Sequence, residues 1–182
     1  SSPTEAGLMA GVKFYPSSSS FKKSLRFLEP GEQIVAAQLA GDFVLPKDKN
    51  RKLAWLAGGI GATPFRSMAK YLIDTHEKRD IVFFYSNYAP ADIAYKDIFD
   101  EAQKKVGVRT IYTITNQPFP AGWSGETGFV DEAMIRRQVP DYKGRVFYIS
   151  GARSMVVIFT NILRKMGVAR RNIKTDFFPG FV

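Results

Sequence analysis

The sequence predicts an α/β fold: a five-stranded parallel sheet flanked by helices, preceded by a partial antiparallel β segment at the N-terminus. From residue 53 onward, short apolar runs alternate with segments whose apolar residues recur at helical spacing, such as Phe65, Met68 and Leu72. This alternation is typical of a parallel sheet that is covered by helices on both faces. Before residue 53, the strand-like stretches at 8–15 and 33–39 are interrupted by polar and turn residues, which favours the partial antiparallel segment.

Each element follows from the local pattern. The strands are expected where apolar and β-branched residues cluster, at 53–57, 81–85, 108–115, 145–149 and 173–178. The helices are expected to begin near residues 63, 94, 131 and 155, with a short additional helix within 21–28. An unbroken polar run at 47–52 separates the two parts, so we expect a β-rich piece in residues 1–46 and an α/β domain in residues 47–182.

The composition excludes several kinds of chemistry. The 182 residues include no Cys and one His, which excludes disulfides, thiol nucleophiles and Cys-ligated metal sites and leaves no expected metal centre. No apolar run approaches the roughly 18 to 20 residues that span a bilayer. The start at Ser1, without Met or a signal peptide, is interpreted as a cut inside a longer protein. Any chemistry therefore requires an organic cofactor, or hydroxyl, carboxylate or backbone groups.

The chain is strongly basic, with 26 Lys and Arg against 17 Asp and Glu and a formal charge of +9. This charge is compatible with an acidic protein, a membrane surface or nucleic acid. Because the aromatic residues follow core periodicity and do not alternate with Lys and Arg, we expect no nucleic-acid partner. The basic groups at 47–52 and 164–171 are either solvated faces or a docking surface for an acidic electron partner.

The most informative local feature is the turn Gly-Gly-Ile-Gly-Ala-Thr-Pro at 58–64, which follows an apolar strand and opens a helix. Thr63 is the expected N-cap, and Pro64 suits the first helical position. Glycines let a phosphate approach the backbone N–H groups at the positive end of the helix. The turn lacks the Lys of a Walker A loop and the third glycine of the dinucleotide fingerprint. A nucleotide-binding turn and a plain tight turn therefore both remain open at this point.

Together with further motifs, this turn resembles the pyridine-nucleotide domain of the ferredoxin–NADP reductase superfamily. The segments that resemble this domain follow one another in the family's order, at 58–68, 84–87, 92–96, 122–130, 148–155 and 174–181. Upstream, the segments that resemble the end of the family's flavin-binding barrel lie at 1–5, 18–22 and 41–46. The resemblance implies that residues 1–46 are the C-terminal remnant of an FAD-binding β-barrel and that residues 47–182 are the NAD(P)-binding domain.

The resemblance also implies a function: a flavin-dependent NAD(P)H oxidoreductase that delivers the hydride of NAD(P)H to FAD, from which electrons pass to an acceptor. The implied cofactor-binding residues are Gly58, Gly59, Gly61, Ala62, Thr63, Ser86, Asn87, Asp92, Gly151 and Met155, with Ser19 and Ser20 near the FAD pyrophosphate. The implied catalytic residues are Ser150, beside the nicotinamide, and Phe178, stacked on the flavin, with Phe177 and Phe181 as alternatives to Phe178. Met155 fits a core helix stripe equally well, and an aromatic residue such as Phe178 also fits core burial.

The sequence departs from the family pattern in two places. The family's Cys-Gly-Pro is Ser150-Gly151-Ala152 here, and the motif that would hold the flavin ring lies upstream of Ser1. We therefore expect this fragment alone to be inactive. The alternative is a non-catalytic nucleotide-binding or docking module derived from the same fold.

The remaining expectations concern specificity, partners and location. Asn87 and Tyr88 stand where NADP-selective relatives often carry Arg, which favours NADH, although Lys96 could reach a 2′-phosphate. The expected partners are the nicotinamide nucleotide, a missing N-terminal domain of the same chain and an electron-acceptor protein or domain, for which an acidic surface is suggested by the charge. The expected location is cytoplasmic-facing, with attachment to a membrane through missing N-terminal segments.

Overall fold

The computed structural model describes residues 1–35 and 41–178, and its centre is a parallel sheet of six strands in the order β4-β3-β2-β1-β5-β6. The strands are β1 Leu53–Gly58, β2 Ile81–Asn87, β3 Val108–Ile114, β4 Glu126–Thr127, β5 Val146–Ala152 and β6 Ile173–Phe178. The helices are α1 Ser20–Leu25, α2 Thr63–Asp74, α3 Lys96–Val106, α4 Glu132–Gln138 and α5 Arg153–Lys165. Among the described residues, no helix is long and apolar enough to cross a membrane.

The sheet buries both of its faces, which is why its central strands are apolar throughout. On one face, α2 and α3 enclose an aromatic cluster in which Phe83 lies between Trp55, Phe65, Tyr85 and Phe99, with ring centroids 4.8 to 5.8 Å apart. The opposite face carries the aliphatic-rich cluster contributed by the other side of the strands and by α4 and α5, which includes Leu56, Phe84, Ile135, Ile149 and Leu163. Together, the two clusters cover both faces of the sheet.

The predicted parallel α/β architecture is confirmed, but the strand count of five is wrong. The sixth strand, β4, has only two residues and pairs with Thr113 and Ile114 of β3. Two residues are too few to show a period, so the pattern of the sequence gives no sign of this strand.

The predicted antiparallel segment at the N-terminus is not seen in the described part of residues 1–46. Residues 8–15 form no strand, and Leu8 is almost fully exposed, because no second strand lies beside them to complete a ladder. The predicted strand at 33–39 falls partly on residues 36–40, which lie outside the described residues. The short helix is present as α1, with the side chain of Ser19 accepting a hydrogen bond from the N–H of Lys22 at 3.4 Å.

The edge of the sheet where the strands begin is held by one buried cation, Arg145 at the start of β5. Its guanidinium donates to the carbonyl oxygen of Leu53 at 3.0 Å, to Asp80 at 2.7 Å and to Asp141 at 2.7 Å. Lys52 also pairs with Asp141, at 3.0 Å. These contacts join the beginnings of β1, β2 and β5.

Candidate functional site

The glycine turn lies at the opposite edge, where the parallel strands end. After β1 ends at Gly58, residues Gly59–Ala62 form a 3-10 turn that leads directly into α2. Gly59 adopts a φ of 52°, and no heavy atom lies within 4 Å of the position that a Cβ would take. The backbone at Gly59 is therefore open to a ligand in a conformation that favours glycine.

Gly61 brings this turn against the end of β5. A Cβ on Gly61 would stand 2.3 Å from the carbonyl oxygen of Ser150 and 2.7 Å from the Cα of Gly151, so only glycine allows this approach. In the order of the sheet, β1 lies between β2 and β5, and the helices that follow β1 and β5, which are α2 and α5, cover opposite faces of the sheet. Ligands of open α/β sheets bind in the crevice at such a switch point.

The start of α2 differs from the prediction in one residue. Thr63 is the first helical residue and not the N-cap; Ala62 holds the cap position and makes no side-chain capping hydrogen bond. Pro64 is in the first turn as predicted. The Thr63 N–H already donates to the Ile60 carbonyl oxygen, and Pro64 has no N–H. An anion at this end would therefore rely on the positive end of the helix dipole and on the preceding 3-10 turn, which also begins without a capping side chain.

Strand register brings most of the predicted site residues together at this edge. Gly58 is paired with Ser86 of β2, and Ala57 is paired with Ser150 of β5. On the far side of β5, the backbone of Ala152 is paired with that of Phe178 at the end of β6. The predicted contact of the Phe178 side chain lies outside the described part of the structure.

Met155 covers the crevice between β1 and β5. Its Sδ lies 2.4 Å from the position of a Cβ on Gly58, and its Cε lies 2.6 Å from that of a Cβ on Gly151. Met155 also packs against the core cluster beneath α5. The two interpretations of this residue are thus compatible: one side of the side chain packs on the core, and the other fills the space over two glycines.

Two polar side chains at the end of the strands are buried without a hydrogen-bond partner. The Ser150 hydroxyl is fully buried, and the Asn87 side chain is 4% exposed. Asn87 lies near the buried Tyr85 hydroxyl, whose pKa is raised to about 12 mainly by burial, but no hydrogen bond of good geometry joins them. Because buried polar groups are nearly always paired, unmet hydrogen-bonding capacity here is a mark of a ligand-binding edge.

Asp92, predicted to lie near the adenine ribose, is already engaged. Its carboxylate accepts from the N–H of Ala89 at 3.2 Å and pairs with Lys13 at 3.1 Å. Tyr88, at the end of β2, is 63% exposed. The side of the crevice beyond β2 therefore offers an exposed phenol and a carboxylate that is partly neutralised by Lys13.

The N-terminal segment lies against the turn and α2. A Cβ on Gly11 would stand 2.3 Å from the Tyr95 hydroxyl and 2.8 Å from Cγ2 of Thr63. Further back, Glu5 pairs with the buried Arg66 of α2, and this guanidinium lowers the pKa of Glu5 to about 2. A nucleotide that reaches the turn must share the space in front of it with the segment that contains Gly11.

Two predicted residues, Ser19 and Ser20, make local contacts, and one residue at the site, Asp176, was not predicted. Ser19 caps α1 and Ser20 is its first residue, so neither contacts the glycine turn directly. Asp176 was not predicted, yet it is paired in register with Ser150 and burial raises its pKa. The sequence signal for Asp176 was an acidic residue inside an otherwise strand-forming run.

Two cavities of about 520 and 530 Å³ lie elsewhere. The first is beside Trp123 and Tyr112 at the outer edge of β3, and the second is between residues 43–47 and α2. Pro64, the last residue of the glycine turn, lines the second cavity, and residues 58–63 line neither. Met155 and the segment around Gly11 already occupy the space beside those residues, so the candidate site is defined by strand order and backbone geometry.

The comparisons with known proteins identify the family of this chain. Residues 55–160, more than half of the chain, match the model of the oxidoreductase NAD-binding domain family. One subunit of the Na(+)-translocating NADH-quinone reductase of Yersinia pestis is 28% identical over 158 residues, which cover 84% of this chain and 39% of that protein. The corresponding subunit from Mannheimia succiniciproducens is also 28% identical, over 84% of this chain and 38% of its own. The chain thus spans about two fifths of the length of these relatives.

Solved structures show the same fold at lower identity. The flavohemoglobin of Malassezia yamatoensis, determined with bound FAD and heme, aligns with a TM-score of 0.72 and 18% identity, covering 92% of this chain and 42% of its own. The Amycolatopsis cytochrome P450 reductase aligns with a TM-score of 0.65 and 24% identity, over 76% and 42% of the two chains. The chain therefore belongs to the oxidoreductase NAD-binding domain family.

Proposed function

We propose that this chain is the NAD(P)H-binding part of a flavin-dependent oxidoreductase, in which the nicotinamide hydride is delivered to FAD and electrons then pass to an acceptor. The observation that carries the proposal is the contact of Gly61 with Ser150 and Gly151, beside the open backbone of Gly59. It forms a backbone-lined crevice at the switch point of the sheet, at the start of an uncapped helix.

The residues present fit a dinucleotide. Gly59 would hold a pyrophosphate through its backbone N–H, with Ala62 beside it and Thr63 contributing its hydroxyl, because the Thr63 N–H already donates to the Ile60 carbonyl oxygen. Ser150 and Gly151 would border the same crevice, and the Met155 side chain lies over Gly58 and Gly151. When bound, the nicotinamide supplies the hydride chemistry, and this chain supplies binding and orientation. In the longer protein, FAD would be contacted near its pyrophosphate by Ser19 and Ser20, and its flavin ring would stack on Phe178.

A second candidate function is a nucleotide-binding module without hydride transfer. It is favoured by Ser150, whose hydroxyl replaces the family's thiol and is fully buried without a partner. Flavin reduction by NADH, measured on the longer protein loaded with FAD, distinguishes the two functions. Reduction of the flavin by NADH supports the oxidoreductase, and nucleotide binding without flavin reduction supports the module.

Nucleotide binding by this chain is testable directly by thermal unfolding with NADH and NADPH. A ligand at about one hundred times its Kd stabilises the folded state by about 2.7 kcal/mol, so a clear rise in Tm is expected. Backbone NMR shifts should be concentrated in the turn and in residues 150–155. If neither nucleotide changes the Tm or the spectrum, the proposed function is wrong.

We expect NADH to bind more tightly than NADPH, because Tyr88 is exposed and uncharged and the nearby cation Lys13 is already paired with Asp92. Replacing Tyr88→Arg should strengthen NADPH binding about tenfold, since a guanidinium makes charge-assisted, bidentate bonds to phosphate. NADH binding should stay within about twofold of the original chain. Calorimetric titration of both nucleotides measures this, with Tyr88→Phe as the uncharged control. Equal gains for both nucleotides would contradict the assignment of this position.

The proposed partners follow from the proposal that this chain is the nucleotide-binding part of a longer oxidoreductase. They are the nicotinamide nucleotide, an N-terminal flavin domain of the same polypeptide and an electron-acceptor protein or domain. The net charge of +9 would increase the association rate of an acidic acceptor through long-range attraction. We further propose a cytoplasmic-facing location with membrane attachment through N-terminal segments.

A further inference from the structure

A strongly basic surface lies at the edge of the sheet where β1, β5 and β6 begin. Six of its cations are exposed and form no ion pair with any described residue: Arg51, Lys143, Arg164, Lys165, Arg170 and Arg171. We call this surface the basic amino edge. None of these residues takes part in the nucleotide site.

The topology explains why these cations meet. β1, β5 and β6 are parallel, so the segments that precede them share one edge, and α5 returns the chain to it. Arg51 donates to the Asn172 side chain at 3.2 Å, and Lys143 Cε is 3.9 Å from the position of a Cβ on Gly167. Residues that are far apart in the sequence, such as Arg51 and Asn172, are thereby brought into direct contact.

The acidic groups nearby do not neutralise this surface. Asp80 and Asp141 are engaged by the buried Arg145 and by Lys52. Asp48 is exposed and accepts from the N–H of Asn50 at 3.0 Å, so it offsets a single charge. A net positive potential therefore remains over the basic amino edge.

The position of this surface argues against docking of an electron acceptor there. β5 has seven residues between the two edges, which at about 3.3 Å per residue separates them by about 20 Å. A protein bound at the basic amino edge would thus lie about 13 Å or more from Ser150, which is four residues beyond the start of β5.

Its composition argues against other macromolecular partners. Protein interfaces rely on aromatic and apolar anchors, and single-stranded nucleic acids stack on aromatic rings. The exposed large apolar side chains of the neighbouring elements, Val157, Ile158 and Phe177, belong to the first half of α5 and the end of β6. At the basic amino edge, the exposed charged side chains that form no ion pair with a described residue are cationic except for Asp48, and a cationic surface is what an anionic lipid surface attracts.

We propose that the basic amino edge binds the anionic surface of a lipid bilayer by electrostatic attraction. In this orientation the opposite edge, with the glycine turn, points away from the membrane and stays accessible to nucleotide. The attraction acts only within a Debye length of about 10 Å at 0.1 M salt. The proposal does not depend on the function of the nucleotide site.

The test is flotation of the chain with vesicles made of about seven parts phosphatidylcholine to three parts phosphatidylserine. We expect binding to these vesicles, little binding to pure phosphatidylcholine, and release when salt is raised to about 0.5 M. The double variant Arg170→Glu with Arg171→Glu should bind at least about tenfold more weakly, because each Lys or Arg near the surface contributes about fivefold.

The matched control is Lys23→Glu with Arg26→Glu in and after α1, which changes the net charge by the same amount on a different surface. It should bind the vesicles as the original chain does, and all three proteins should give the same Tm and the same response to NADH. The proposal is overturned if both variants lose binding equally, if neither does, or if neutral vesicles bind as well. Tighter binding to duplex DNA than to vesicles at equal salt, lost in the Arg170 and Arg171 variant, would overturn it in favour of a nucleic-acid surface.

Discussion

Replacing Gly61→Ala is expected to lower the free energy of unfolding by about 2 to 3 kcal/mol and to weaken NADH binding at least about tenfold. The added methyl would stand 2.3 Å from the Ser150 carbonyl oxygen and 2.7 Å from Cα of Gly151. Both neighbours are backbone atoms of β5, so the clash is relieved only by moving the turn away from the strand. Urea unfolding measures the stability, and calorimetric titration with NADH measures the binding.

Gly58→Ala is the matched control, because the same chemical change meets only the end of a flexible side chain. The nearest atom to its Cβ is Sδ of Met155, at 2.4 Å, with no backbone atom among the three nearest. Met155 can change rotamer at small cost, so the loss of stability should stay below about 1 kcal/mol. Similar losses for the two variants would show that close packing of the turn on β5 is not what Gly61 provides.

Replacing Arg145→Met is expected to lower the free energy of unfolding by about 2 kcal/mol. The change removes a buried guanidinium that bonds to the Leu53 carbonyl oxygen and to two carboxylates, Asp80 and Asp141. The carboxylates are nearly half exposed, so water and Lys52 offset part of the loss. The effect therefore falls below that of breaking a fully buried ion pair. Urea unfolding at neutral pH provides the measurement.

The comparison variant is Lys105→Met, which also removes a cation that pairs with a carboxylate. Lys105 and Glu101 form an exposed pair one helical turn apart on α3, and such pairs contribute about 0.3 to 0.5 kcal/mol. The NADH affinity of Arg145→Met should remain unchanged, because this residue lies at the edge where the strands begin. A stability loss no larger than that of Lys105→Met would refute the role of Arg145 in joining the strands.

The sequence predicted the parallel sheet, its helices and the glycine turn because each depends on local patterns. Buried strands such as β1 are continuous apolar runs, and a helix such as α2 repeats its apolar residues at helical spacing. The turn at 58–64 combines glycines with Pro64 at a helix start, a signal that is contained within seven residues. The strand β4 escaped prediction because two residues carry no period, and no strand forms in the described part of residues 1–35 because a ladder needs a partner.

Only the tertiary structure decided which residues meet. The backbone contact of Gly61 with Ser150 joins residues far apart in sequence, and it depends on β5 lying beside β1 rather than on any local pattern. The same holds for Asp176 beside Ser150, for Lys13 paired with Asp92, and for the cations that converge at the basic amino edge. By itself the sequence determined the elements and the chemical types of the site residues, since hydrophobic period and turn chemistry are local. Strand order and register then decided their neighbours, because these are set by burial of both faces of the whole sheet.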